Sequence, residues 1–255
     1  MKAETILANA RLVLEEQVLE GGLRIVDGVV AEILPGRSAG GEDLGGDYLL
    51  PGLVELHTDQ IEGHHHLRSG VVWNETAAVQ AHDGQVATSG ITTVFDALRV
   101  GSDENTRSDI DKVVALAAAI ERAGAEGRLR ADHFLHLRCE VSADDVIEGF
   151  ERLMDHPRLK LVSLMDHAPG QRQFHDLVAL KAYLTDKFKM SEADFEAFSA
   201  ARIAQSERNA GPHRQAIAQK CLERGITLAS HDDATSAHVE EAVALGTRVA
   251  EFPTS

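Results

Sequence analysis

The first fifty positions place apolar residues in short runs broken by polar ones, at the spacing of strands rather than helices. Ile6-Leu7-Ala8 and Leu12-Val13-Leu14 read as short strands. The runs 23–26 and 29–34 flank Asp27-Gly28, a dipeptide suited to a two-residue hairpin because both central positions favour positive φ. A Gly-rich acidic loop, 35–47, closes this small β module, expected over residues 1–50.

From residue 48 the pattern changes, and short apolar runs alternate with stretches of helical period. Strands are expected at 48–56, 91–95, 134–139, 159–165, 226–230 and 247–252, with helices between them. The helix over 105–126 presents Ile110, Val113, Val114, Ala117 and Ile120 on one face. Ser142 with Asp145 forms a capping-box pattern opening another helix, and Ser191 with Asp194 repeats it. Residues 174–208 read as two helices, and Pro212 and Gly225 bracket a further one. Strand–helix alternation predicts an α/β fold with a parallel sheet, favouring a TIM-type (β/α) barrel over residues 51–255. No Gly-rich phosphate loop opens a helix, which disfavours an open nucleotide-binding sheet.

Composition narrows the function classes. The chain has 255 residues, 44% hydrophobic and 26% charged, values of an ordinary globular protein. Its formal charge of −16 disfavours nucleic acid and anionic membrane as partners, since both reward a basic face. A small anionic substrate needs only a few local cations and is compatible; a homo-oligomer is left open. The two cysteines, Cys139 and Cys221, make no disulfide framework, the N-terminus lacks a signal-like apolar run, and no run is long enough for a membrane helix. The expected location is the cytoplasm.

Thirteen histidines make placement informative. Chemistry in barrels sits at the C-terminal ends of strands, and there stand His57 and Asp59, Glu140, Asp166 and His167, and His231 with Asp232 and Asp233. Imidazole and carboxylate donors suit divalent Zn, Fe or Mn. His57 and Asp59, two apart on a strand end, can chelate one ion; Glu140 can bridge; His167 and His231 can hold a second. His231 and Asp232 are the catalytic candidates, with capping of the next helix as the alternative for Asp232 and Asp233. Arg138 shares a strand face with Glu140, and Arg172 follows His167, so both are candidates for binding phosphate oxygens; salt bridging is the alternative. His64-His65-His66 reads as a solvated loop, His133 and His136 as structural, and His82 and His238 as partly buried helix residues.

The strings LLPGLVELHTD, GITTVFDA, LHLRCE, LVSLMDHAPGQRQF and ASHDDAT closely resemble the phosphonate-metabolism branch of the amidohydrolase superfamily. The resemblance implies a small N-terminal β-sandwich before a metal-dependent hydrolase barrel. It implies one or two divalent ions on His57, Asp59, Glu140, His167 and His231, with Glu140 as the bridging carboxylate. It also implies hydrolysis of a ribosyl triphosphate with release of diphosphate. The superfamily's usual second His of the first motif is Asp59 here, and its further Asp after the last barrel strand is not met before residue 255. The chain is therefore expected to be shortened at its C-terminus. The rival expectations are hydrolysis of a C–N bond at the same centre, and an inactive fragment serving as a binding partner.

Overall fold

The computed structural model describes residues 3–68, 71–102, 110–172, 180–182 and 191–254. Its contacts divide the chain into Met1–Leu53 and Val54–Ser255.

In the first unit, strand β1 (Glu4–Val13) pairs antiparallel with β2 (Val18–Val26), which pairs antiparallel with β3 (Val29–Pro35). Short strands β4 (Glu42–Asp43) and β5 (Tyr48–Leu49) run parallel to β1. The Asp27-Gly28 turn has φ of 52° and 80°, and Val26 faces Val29 across it. The two strands expected before residue 15 are one. A register shift between Leu7 and Ala10 at Asn9, with φ 57°, interrupts the alternation and makes the sequence look broken there. Asn9 Oδ1 accepts from the Ser38 amide at 2.9 Å, tying the Gly-rich loop to the bulge. Among the described residues this unit contributes one five-stranded sheet.

The second unit carries strands β6 (Leu53–Thr58), β9 (Ile91–Val100), β10 (Asp132–Glu140), β11 (Leu159–Met165), β12 (Thr227–His231) and β13 (Val249–Glu251), in spatial order 6-9-10-11-12-13. A minor hairpin, β7 (His66–Arg68) with β8 (Val71–Val72), lies between β6 and β9 in sequence. Neighbours from β9 to β13 are parallel. In a flat sheet the outermost of six strands would stand about 24 Å apart. Here the His57 side chain from β6 hydrogen-bonds Glu251 from β13 at 3.2 Å, so the sheet is curled into part of a barrel with one edge facing the other. Among the described residues, six strands form this sheet.

The helices are α1 (Gln60–His65), α2 (Glu75–Thr88), α3 (Ile110–Ala125), α4 (Val146–Glu151), α5 (Glu192–Arg224) and α6 (Ser236–Ala244). Asn74 Oδ1 accepts from the Thr76 and Ala77 amides and starts α2. Ser191 and Thr235 cap α5 and α6 in the same way, and Gly225, left-handed at φ 66°, stops α5. The first helix expected in 174–208 lies largely outside the described residues. The second runs on through Pro212 to Arg224 as one helix instead of stopping for a new start. The Ser142 capping box does not form. Its hydroxyl donates to Glu140 Oε1 at 2.8 Å, while Asp145 accepts from the Ser102 amide and hydroxyl and carries no cap bond.

Strand alternation splits the sheet into two chemistries. Leu98 and Val100, Leu135, Leu137 and Cys139, Val162 and Leu164, and Leu228 face the helices and pack with Val113, Leu116, Ile120, Ile217 and Cys221. Each fully buried leucine there contributes roughly 1.5–3 kcal/mol. The opposite parity, His136, Arg138, Glu140, Ser163 and His231, is polar, and it is this inner lining that builds the site. Among the described residues, no helix is long and apolar enough to cross a membrane.

Candidate active site

Three imidazoles meet at the C-terminal mouth of the sheet. His57 ends β6 and His231 ends β12, with ring centroids 5.4 Å apart; His167 follows β11, 5.9 Å from His231. Each has its Nδ1 within hydrogen-bond reach of a different carboxylate. His57 faces Glu251 Oε1 at 3.2 Å, His167 faces Glu140 Oε2 at 2.6 Å, and His231 faces Asp232 Oδ2 at 2.8 Å. A carboxylate behind one ring nitrogen fixes the tautomer and presents the other nitrogen as a donor toward an ion. His231 Nε2 is buried with no hydrogen-bond partner, as is Glu251 Oε2. His57 Nε2 lies 3.2 Å from Asp59 Oδ1.

Local backbone geometry sets these positions. Asp232 adopts φ 55°, which a short polar side chain tolerates, and its amide donates to the Glu251 carbonyl at 2.9 Å. That turn aims Asp232 back at His231. Glu140 is fully buried and accepts from the His167 amide at 3.0 Å, from Ser142, and from Arg99 at 3.3 Å.

The expected ligands are brought together unequally. Donor atoms of His167, His231 and Asp232 lie within 4.8 Å of one another, and so do those of His57, His136 and Glu251. Glu140 reaches His167 Nδ1 and belongs to neither group. Arg138 Nη1 pairs with Asp59 Oδ1 at 2.8 Å. Both border a cleft of about 510 Å³ lined also by His57, His167, His231, Asp232 and Phe252. Arg172 is elsewhere engaged: it is buried, ion-paired with Asp233 and Glu241, and bonded to the His231 carbonyl. It braces the turn that carries His231 and is absent from the cleft wall.

Electrostatics suit a cation. Burial opposes protonation of His57, yet Asp59 and Glu251 outweigh it and raise the imidazole to about 9. Burial likewise opposes ionisation of Glu140, but the His167 hydrogen bond and the charges of His167 and Arg99 bring it down to about 2. Burial pulls His136 down to about 4, so it stays neutral, between the Leu56 carbonyl at 3.0 Å and Ser163 Oγ at 2.9 Å.

Two groups were not singled out by the strand-exit reading. Glu251 was passed over inside the expected strand 247–252, although it ends β13 as His231 ends β12. His136 reads as structural from the sequence, and its parity with Arg138 and Glu140 on β10 points it inward.

Comparison with known proteins places this mouth in context. No family model matches the chain. Over 252 residues it is 39% identical to alpha-D-ribose 1-methylphosphonate 5-triphosphate diphosphatase of Escherichia coli (strain K12), covering 98% of this chain and 67% of that protein. The chain belongs to that diphosphatase family. An uncharacterized metal-dependent hydrolase from Pyrococcus furiosus shares the fold, with TM-score 0.57 at 12% identity, covering 98% of this chain and 72% of the other. D-hydantoinase aligns at TM-score 0.44 and 20% identity, and the chain spans 57% of its length. Within the diphosphatase family, the barrel-type α/β fold with an N-terminal strand module is thus the architecture of this chain.

Proposed function

We propose that the curled sheet carries the catalytic mouth of a metal-dependent diphosphatase. Its reaction is hydrolysis of alpha-D-ribose 1-methylphosphonate 5-triphosphate to the 5-phosphate and diphosphate. The observation that carries this reading is the 39% identity running through 98% of the chain. The geometry supports it: three carboxylate-backed imidazoles border a cleft that also holds Arg138.

The donor set fits one or two divalent ions. His57, His167 and His231 would hold them through the ring nitrogen opposite each carboxylate, with Asp59 as the oxygen donor; Zn, Fe and Mn all accept such donors. A bound ion would supply Lewis acidity and a more acidic water.

The chain's own groups do the rest. Glu140, Glu251 and Asp232 hold the three imidazoles in register. Asp232, which borders the cleft, is also placed to take the proton that water loses as its oxygen bonds to phosphorus and the phosphoanhydride P–O bond breaks. Arg138 donates to phosphoryl oxygens and offsets their charge, a local cation that a chain of net −16 requires. Phe252, in contact with the His57 and His231 rings, keeps one wall of the site apolar and limits water. Two free, buried cysteines suit a reducing cytoplasm.

The test is product analysis on metal-loaded protein of the family's full length, followed by the same assay on this chain. Diphosphate release from the ribosyl triphosphate, abolished by His231→Ala, is expected. Release of ammonia or a carboxylic acid from C–N substrates, without diphosphate, would overturn the assignment in favour of amidohydrolysis.

A further inference from the structure

A second group of histidines and aspartates lies on the other face of the same sheet. His82 and Asp83 are on α2, Asp96 is on β9 and His133 is on β10; all are at most 1% exposed. Asp96 lies between both imidazoles, with Oδ1 2.9 Å from His82 Nε2 and Oδ2 2.8 Å from His133 Nδ1. One donor atom from each of His82, Asp96 and His133 lies within 4.8 Å of the others. Behind this trio, Asp83 Oδ1 reaches His133 Nε2 at 3.3 Å and accepts the Arg130 and Ala131 amides at 2.9 and 3.0 Å. Asp83 Oδ2 and His82 Nδ1 are buried and have no hydrogen-bond partner.

We propose that His82, Asp96 and His133 form a structural site for a divalent transition metal of the zinc class, clamping α2 to the sheet, with Asp83 orienting His133 from behind. Three features carry this. The donors are two imidazole nitrogens and a carboxylate, the set that zinc-class ions take at about 2.0–2.2 Å. His133 has the carboxylate–imidazole arrangement that fixes a ligand's tautomer: Asp83 holds one ring nitrogen and leaves the other for the ion. Charge is the third. With neutral imidazoles the cluster buries two carboxylates, Asp83 having, among the described residues, only the exposed Arg130 guanidinium 3.9 Å away, and buried charge must be compensated. A divalent cation offsets both at once. The His64 ring centroid lies 5.8 Å from that of His82, with Nε2 engaged by Gln85 Oε1 at 2.9 Å; the His64-His65-His66 tract, expected as a solvated loop, runs from the end of α1, where His65 is buried, into β7. Because the ligands come from α2, β9 and β10, metal binding would be coupled to folding of this layer.

The experiment separates this site from the mouth. His57→Ala/His231→Ala in the 255-residue chain removes mouth ligands and leaves the outer trio intact. After chelator stripping, cobalt(II) is the probe, followed by its visible absorption and by thermal unfolding. Expected are uptake of about one equivalent with the strong absorption of four-coordinate cobalt, and a Tm rise of about 5–10 °C at a hundredfold excess over Kd. Adding His82→Gln, which keeps a donor toward Asp96, should remove both signals while circular dichroism stays native. If His82→Gln fails to fold, the mouth-depleted chain still decides: no cobalt uptake, or uptake without the four-coordinate spectrum, overturns the site. Retention of the signal in folded His82→Gln overturns it equally. A mouth without diphosphatase activity would leave these outcomes unaffected.

Discussion

Strand β10 carries both halves of the comparison that this molecule offers. His136 and His133 are three residues apart and therefore face opposite sides of one sheet. His136 joins His57, His167, His231 and Arg138 on the polar inner lining, beside an open cleft. His133 joins His82, Asp83 and Asp96 in the sealed layer beneath α2. The residue types are nearly the same, yet the two clusters are wired differently. At the mouth His57, His167 and His231 each face a different carboxylate through Nδ1, and they border a common cleft. In the outer layer Asp96 is shared between two imidazoles, one of which also meets Asp83, and solvent does not reach them. Residue type alone does not separate a reaction site from a fastening; access to solvent does, together with whether a carboxylate is shared between rings.

The largest expected effect breaks the mouth alone. His231→Ala should reduce diphosphate release to background in the metal-loaded enzyme, while the denaturation midpoint of the folded protein moves little. A midpoint that collapses along with activity would place His231 among structural residues. Next in size is the reverse experiment. Asp96→Ala leaves His133 buried beside a missing partner, and removing one member of a buried pair costs about 3–5 kcal/mol. Burial works against protonating His133, and Asp96 is the largest influence in the other direction, so without Asp96 the ring is left with Asp83 alone. Urea denaturation reads the loss, and the activity of the remaining folded fraction should be nearly unchanged. Equal losses of activity and stability in both variants would erase the distinction between the faces.

How much of this was legible in the sequence follows from the same parity. Strand ends were readable because buried parallel strands leave apolar runs, and His57, Glu140, His167 and His231 stand where those runs stop. The barrel-type fold followed from their alternation with helices. The sequence could not display which partner a side chain chooses. Arg172 looked like a phosphate ligand by proximity to His167, but Asp233 and Glu241, over sixty residues away, engage it. Ser142 fits a cap motif, yet the carboxylate of a buried Glu140 competes for its hydroxyl. Pro212 suggested a helix start because a proline lacks a donor, and α5 tolerates that missing bond within its length. Glu251 was obscured by a strand boundary misread by one position, enough to hide a strand exit.

Glu140→Gln sharpens the wiring at the mouth. If Glu140 acts from behind His167, the loss should be about 10–100-fold in metal affinity, measured by competition with a chromophoric chelator. A bridging carboxylate would instead cost a whole ion, read as a drop in metal stoichiometry. The pH dependence is of similar size. His57 is raised above its ordinary 6.5 to about 9, so its proton stabilises the metal-free fold fully below pH 6.5, and that contribution disappears as pH rises through about 9. The same proton competes with an ion for the ring. Metal affinity should therefore climb up to about tenfold per pH unit toward 9 and flatten above it, and His57→Ala should remove that slope. A slope unchanged in the variant would assign the proton to another group.

The smallest effects separate the two arginines. Arg138 borders the cleft and spends one nitrogen on Asp59, leaving others for substrate, so Arg138→Ala should raise KM about tenfold, the cost of one charge-assisted hydrogen bond. Arg172 is buried against Asp233 and Glu241 and touches the His231 carbonyl, so Arg172→Ala acts on the turn rather than on phosphate. Its KM should stay within about twofold of wild type, since no substrate-facing bond is removed. Its loss should appear in kcat, through a displaced His231, and in thermal stability, through the stranded Asp233. Arg172→Lys, which keeps the charge but not the forked geometry, should recover stability only in part. If Arg172→Ala raised KM as much as Arg138→Ala with kcat intact, the guanidinium would have to swing into the cleft during binding, and the division between bracing and binding arginines would fall.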